Sequence, residues 1–150
     1  MILLKDVHLK LGGPAGDVNI LRGVDLSVTA GETVSVVGPS GSGKTTMMMV
    51  IAGLEQPTSG SVIISGTELG GMDEDELALF RRKTVGIVFQ NFHLVPTMTA
   101  LENVSIPFEL SGDKDAFDRA AEGLTAVGLG HRLGHYPGQL SGGEQQRVAL

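Results

Sequence analysis

The chain has 150 residues, enough to bury a core, and 41% of them are hydrophobic. A formal net charge of −6 leaves no basic footprint for displacing nucleic-acid counterions, so no nucleic-acid partner is expected. Cysteine is absent, which excludes disulfides and thiolate metal sites and fits a reducing compartment. Lys5, Asp6 and Lys10 stand where a signal peptide needs an apolar run. The longest apolar run, Met47 to Ala52, is far too short to cross a bilayer, so a soluble protein is expected, with any membrane role carried by a partner.

In chain order, Ile2 to Leu11 alternates around Leu4, Val7, Leu9 and Leu11, and Gly23 to Val28 alternates at Val24, Leu26 and Val28. Both patterns predict strands with one buried face, joined through a flexible Gly12–Gly16 connection that contains Pro14. Thr33 to Val37 is more uniformly apolar, as suits a strand covered on both faces. It leads into Gly38-Pro39-Ser40-Gly41-Ser42-Gly43-Lys44-Thr45, a complete G-x-x-x-x-G-K-[ST] phosphate-binding loop, followed by Thr46 and an apolar helical stretch. Glycines let backbone N–H groups turn onto phosphate oxygens, and the helix N-terminus adds a favourable dipole. Lys44 can reach the terminal phosphates and the Thr45 hydroxyl can ligate Mg²⁺. Of the triplet Met47 to Met49, at least some are expected to pack against the sheet as core filler rather than form a metal site.

Further along, Pro57 to Gly60 predicts a turn and Val62 to Ile64 a strand. Asp73 to Lys83 predicts a helix: Asp73 and Glu76 have capping-box spacing, and acids lead while Arg81, Arg82 and Lys83 trail, matching the helix dipole. Val85 to Phe89 predicts a short strand and Gln90 to Thr99 a loop holding Pro96. Phe117, Ala121, Leu124 and Val127 recur at helical spacing; Gly128 to Gly138 is loop-like, and Ser141 opens a last helix. These elements predict an α/β fold: a core of about residues 1–99 with a mainly parallel sheet around the phosphate loop, an antiparallel side sheet at the N-terminus, and a helical subdomain of about residues 100–150.

The segment Leu140-Ser141-Gly142-Gly143-Glu144-Gln145-Gln146-Arg147-Val148 carries a capping box of its own, Ser141 with Glu144. A hydroxyl, glycine amides and a dipole end also make an anion site. Together with the phosphate loop, and with Gln90 between them in Val88-Phe89-Gln90, it resembles the signature of ATP-binding-cassette (ABC) ATPases, a P-loop NTPase family. The stretch from Val88 to Val104 is similar to the branch that holds the lipoprotein-release and macrolide-export ATPases. The resemblance implies ATP and Mg²⁺ as cofactors, a head-to-tail dimer, expected here to be a homodimer, and an integral membrane permease as partner. ATP would lie between the phosphate loop of one subunit and residues Ser141 to Gln145 of the other. Lys44 and Gln90 would be catalytic, and Thr45 and Gln90 would face the metal. A peripheral site on the cytoplasmic face of the plasma (inner) membrane follows from the same resemblance. A non-transport ABC protein, or a regulatory module that binds nucleotide without hydrolysing it, is the alternative.

Two departures qualify that expectation. The family's next strand would bring an Asp for Mg²⁺ and a Glu to activate water, followed by a switch histidine. None of these is present, and His131 and His135 read as loop histidines. The 150 residues as given are therefore expected to be a fragment that binds nucleotide weakly and hydrolyses it poorly or not at all. Relatives also place an aromatic upstream of the phosphate loop, whereas Met1 to Ser42 contains none, so that Leu11, Val18 or Ile20 would have to cover the base. The missing stack is worth ~1–3 kcal/mol by analogy with single-strand binding.

Overall fold

The computed structural model describes residues 1–13 and 16–150, so Pro14 and Ala15 of the predicted Gly12–Gly16 connection lie outside the described residues. The chain divides into two compact units, Met1–Ile87 and Val88–Leu150.

In the first unit β1 (Ile2–Leu11) lies between β2 (Val18–Val28) and β3 (Ser59–Ile64), and β4 (Thr67–Glu68) closes the order β2-β1-β3-β4, every pairing antiparallel. The alternation read from Leu4, Val7 and Leu9 is the buried face of β1, and β2 and β3 begin earlier in the chain than periodicity suggested, at Val18 and Ser59. Ser59 and Gly60, predicted to turn, are already in the ladder. The helix α1 (Lys44–Ile51) lays Val50 onto this sheet, with Met47 and Ile51 beside it. Leu4, Val7, Leu9, Leu21, Val62 and Leu77 complete the core. Of the three methionines only Met47 fills that role; Met48 and Met49 are exposed. The helix α2 (Glu74–Thr84) carries the predicted capping box, with the Asp73 side chain accepting from the Glu76 amide and Glu76 returning a carboxylate to the Asp73 amide.

The parallel part of the predicted sheet is not formed among the described residues. Thr33–Val37 and Val85–Phe89 lie outside any strand, and Val34, Val37 and Val88 are 48%, 87% and 47% exposed. Apolar periodicity reports what a segment is suited to, but a ladder also needs a neighbouring strand to share its hydrogen bonds. Here the four strands pair only with one another, and neither segment is laddered onto the outer strands β2 and β4.

The second unit is helical, with α3 (Ala100–Leu110), α4 (Ala116–Ala126), a 3₁₀ turn at Pro137–Gln139 and α5 (Gly142–Val148). Its core gathers Ala100, Leu124, Leu129, Leu140 and Val148. On α4 Leu124 of the predicted face is buried and Val127 packs against the core, whereas Phe117 is exposed and Ala116 and Ala120 make up the rest of the buried face.

One glycine tests the packing of the sheet. A Cβ at Gly60 would lie 2.3 Å from the Asp6 carbonyl oxygen, and the residue has φ 95°. The Asp6 carbonyl carbon and the Lys5 carbonyl oxygen follow at 2.7 Å, and all three atoms are backbone, so the clash has no flexible side chain to absorb it. Gly60→Ala is expected to destabilise the protein by about 2–4 kcal/mol, read from the denaturant midpoint.

Candidate functional site

Lys44 and its loop form the first half of the candidate site. Gly41 and Gly43 take left-handed φ values of 78° and 87°, and the Gly43 carbonyl accepts from the Met47 amide at 2.8 Å. No side chain caps α1, and its first turn holds no acid. The N-terminal amides of α1 and their partial positive charge are thus met by no side-chain cap and by no acid of the helix's own first turn. The Lys44 ammonium donates to the carbonyls of Pro39 (2.7 Å) and Gly38 (3.0 Å), folding back over the loop it belongs to. A cavity of about 310 Å³ is lined by Val37, Gly38, Pro39, Lys44 and Met47 among others, and Thr45 is exposed on the first turn of α1.

The remaining candidate residues belong to the second unit. Gln90 is exposed in a turn. Just after it, Phe92 and His93 have φ of 57° and 52°, and the rings of Phe89 and His93 meet edge to face at 4.8 Å. Ser141 caps α5: its hydroxyl accepts from the Glu144 amide (3.3 Å), and a Glu144 carboxylate oxygen accepts from the Ser141 amide (2.8 Å). Gln145 reaches back to the carbonyls of Pro137 (3.0 Å) and Leu140 (3.1 Å), which ties the turn before the signature to the helix after it.

A sequence profile for the ABC transporter family matches residues 21–150. The chain belongs to the ABC transporter family. It is 49% identical to the lipoprotein-releasing system ATP-binding protein LolD of Bacteroides thetaiotaomicron, the match covering 90% of this chain and 63% of LolD. It is 45% identical to the macrolide export ATP-binding/permease protein MacB of Marinobacter nauticus, over 100% of this chain and 24% of MacB. Among solved structures it is similar to the dimeric ATP-binding cassette MJ0796 in a post-hydrolysis state bound to ADP and Pi, with TM-score 0.90 and 41% identity, over 99% of this chain and 67% of that one. The P-loop NTPase fold expected from the motif is therefore the fold of this ABC chain, and nucleotide binding is the family's property. The chain spans 63% of the length of its LolD relative.

Two functional supports escaped the sequence reading. Asn103 on α3 accepts from the Val95 amide (2.7 Å), and its amide nitrogen donates to the carbonyls of Thr99 (2.9 Å), Met98 (3.0 Å) and Val95 (3.2 Å), pinning the end of the segment that follows Gln90. An asparagine just inside the stretch predicted to be helical from about residue 100, where it is a poor former, was the available signal. Arg132 is the other. Its Nε lies 3.3 Å from Glu144, an ion pair out of line for a hydrogen bond. Its Nη1 lies 3.0 Å from Nε2 of His135; since a guanidinium can only donate, the hydrogen bond takes the tautomer that carries its proton on Nδ1. His135 is thus a loop histidine with a partner rather than a free one.

The Glu144 carboxyl is held below its ordinary value by the Ser141 amide first, then by the Ser141 hydroxyl and the charges of Arg132 and Arg147. A lowered pKa in the folded state means the stabilisation is full above the ordinary value of 4.5 and is lost as pH falls through the lower folded value. The stability difference between the parent and Glu144→Gln, measured by urea unfolding across pH, is expected to be constant above about pH 5 and to close in more acid solution. Asn103→Ala is expected to cost about 1–2 kcal/mol and to speed limited proteolysis within residues 91–98 while leaving α5 protected.

Proposed function

We propose that the protein is the ATP-binding subunit of an ABC transporter and couples ATP binding and hydrolysis to a membrane permease. The observation behind this reading is that one chain holds both a glycine-bent loop with Lys44 fixed over it and a Ser141-capped signature segment. The amides of the loop and of α1 bind the phosphate chain, and Lys44 exchanges its carbonyl partners for phosphate oxygens. The Thr45 hydroxyl and the Gln90 amide oxygen are hard oxygen donors of the kind Mg²⁺ takes alongside phosphate. When bound, Mg²⁺ neutralises charge on the β- and γ-phosphates. Gln90 orients the attacking water.

The signature segment serves a second copy. Two chains pack head to tail, so that Ser141, Gly142, Gly143, Glu144 and Gln145 of one approach the nucleotide held by Gly38 to Thr46 of the other. ATP then acts as a ligand of the closed dimer, and its loss lets the dimer open. The dimeric state of the MJ0796 cassette supports this arrangement. Among the described residues no helix is long and apolar enough to cross a membrane, which suits a peripheral subunit on the cytoplasmic face of the membrane beneath an integral partner. The cargo class is lipoprotein, lipid, peptide or amphiphilic drug, supported by the lipoprotein-releasing and macrolide-export names of the relatives.

In the protein produced from its natural gene, Lys44→Ala is expected to lower ATP turnover by at least about 100-fold without shifting the thermal midpoint measured free of nucleotide. Co-purification with an integral membrane protein is expected under mild detergent. A monomeric, unaccompanied protein whose turnover ignores Lys44 would remove the transporter reading.

A further inference from the structure

The first amides of a helix have no acceptor within it, and in α3 each finds one outside. The Ala100 amide donates to the His135 carbonyl (2.8 Å), the Leu101 amide to the Leu133 carbonyl (3.0 Å) and the Glu102 amide to the Thr99 hydroxyl (3.2 Å). Two of these acceptors are backbone atoms of one loop, 131–136. That loop is itself braced, the Arg132 amide donating to the carbonyl of buried Leu129 (2.8 Å) and the His135 amide to the Arg132 carbonyl (2.9 Å). While the loop backbone holds α3, the Arg132 side chain reaches the signature. Its Nη1 is held by Nε2 of His135, and its Nε lies 3.3 Å from Oε1 of Glu144. The other oxygen of that carboxylate, Oε2, accepts from the Ser141 amide at 2.8 Å. One carboxylate is thus shared between the guanidinium and the cap of α5.

The hydroxyl half of that cap is long, at 3.3 Å, and the carboxylate half is short. The orientation of Ser141 therefore rests mainly on Glu144. A glutamate side chain turns about three bonds, and a second partner for its carboxylate removes that freedom. Arg132 is suited to the task, since its planar fork is already fixed by His135. The Glu144 side chain is only 18% exposed, which separates this pair from a solvated surface pair of little consequence. The Nε donor is buried and makes no hydrogen bond of its own. An unmade hydrogen bond at a buried donor is costly, so the pair gains from movement of Glu144 into line and resists movement away.

Resting on the transporter reading above, we propose that Arg132 is a positioning residue for the signature. It locks the Glu144 carboxylate, and with it the Ser141 hydroxyl, in register with the first turn of α3. Asn103 pins the end of the segment after Gln90 to the same helix. The serine offered to the nucleotide of a second copy therefore keeps its place relative to that segment. Arg132 acts through Glu144 rather than on the nucleotide.

The natural full-length protein tests this by separating kcat from nucleotide binding. On the reading above Ser141 approaches the terminal phosphate of ATP held by the other copy, so ADP, which lacks that phosphate, reports the phosphate loop alone. Arg132→Ala is expected to lower kcat for ATP about tenfold, within the loss that a small misplacement causes, with the dissociation constant for ADP within about twofold of the parent. Glu144→Gln keeps an oxygen to cap Ser141 and removes the charge that faces Arg132. In that background Arg132→Ala is expected to lower kcat by no more than about a further twofold, as for two groups acting together. Arg132→Lys supplies one ammonium that cannot serve His135 and Glu144 at once, and is expected to stand about threefold below the parent. It carries the same comparisons if Arg132→Ala does not fold. Hydrogen exchange at the Ser141 amide is expected to speed about tenfold in Arg132→Ala, a readout that needs no turnover.

A kcat within about twofold of the parent, or unchanged exchange at Ser141, overturns the proposal. So does a loss of ADP affinity as large as the loss in kcat, which would mark a general disturbance of the fold. Lys44→Ala separates the two readings. If it abolishes turnover and Arg132→Ala does not lower it, the positioning role alone fails. If turnover ignores Lys44, the transporter reading fails, and exchange at Ser141 still decides whether Arg132 orients that residue.

Discussion

At Gly43 the phosphate loop meets β2 closely: a Cβ would fall 3.1 Å from one backbone oxygen and 3.2 Å from the Leu21 side chain, so either neighbour would have to give way. Those distances are tighter than ordinary van der Waals contact, and one of the neighbours is backbone. The residue also has φ 87°, a conformation that carries strain for any side chain. Because Gly43 is the residue before α1, this contact fixes where α1 begins. That in turn decides which of its side chains reach the sheet: Val50 enters the core with Met47 and Ile51 beside it, while Met48 and Met49 stay outside. The same contact sets the loop beside Val18 and Ile20. In the first unit the glycine loop, the start of α1 and the neighbouring groove thus meet at one missing Cβ.

The second unit is organised by a different force. Its core is small and partly alanine, and its turns are held by side chains bonded to backbone. Thr99 and Glu102 form one reciprocal cap and Ser141 and Glu144 another. Asn103 and Gln145 tie down the chain before each of those helices. The carboxylates in both caps are shifted downward mainly by the amide each one accepts from. Such bonds are directional, so they fix the orientation of Ser141 and of the segment after Gln90 more sharply than apolar contact alone does.

What could be read in advance follows this division. The caps at Asp73 and Ser141 and the strand at Leu4, Val7 and Leu9 were legible because each rests on residues close in sequence. The phosphate loop was legible as a motif, and its glycines at 41 and 43 do take left-handed backbone. Long-range partners were not legible. Nothing in the pattern of Thr33 to Val37 or Val85 to Phe89 says whether a neighbouring strand is there to pair with, and none pairs with them. Of Phe117, Ala121, Leu124 and Val127, read at helical spacing, Leu124 and Val127 do reach the core, while Phe117 is exposed and the small Ala116 and Ala120 are buried instead. Arg132 gave no local sign of its link to Glu144, which lies twelve residues further on.

Lys44 spends its protons on two carbonyls of its own loop, at 2.7 Å and 3.0 Å. An anion arriving at this loop would therefore meet an ammonium that already has acceptors, and its binding would exchange one set of hydrogen bonds for another rather than capture a free cation.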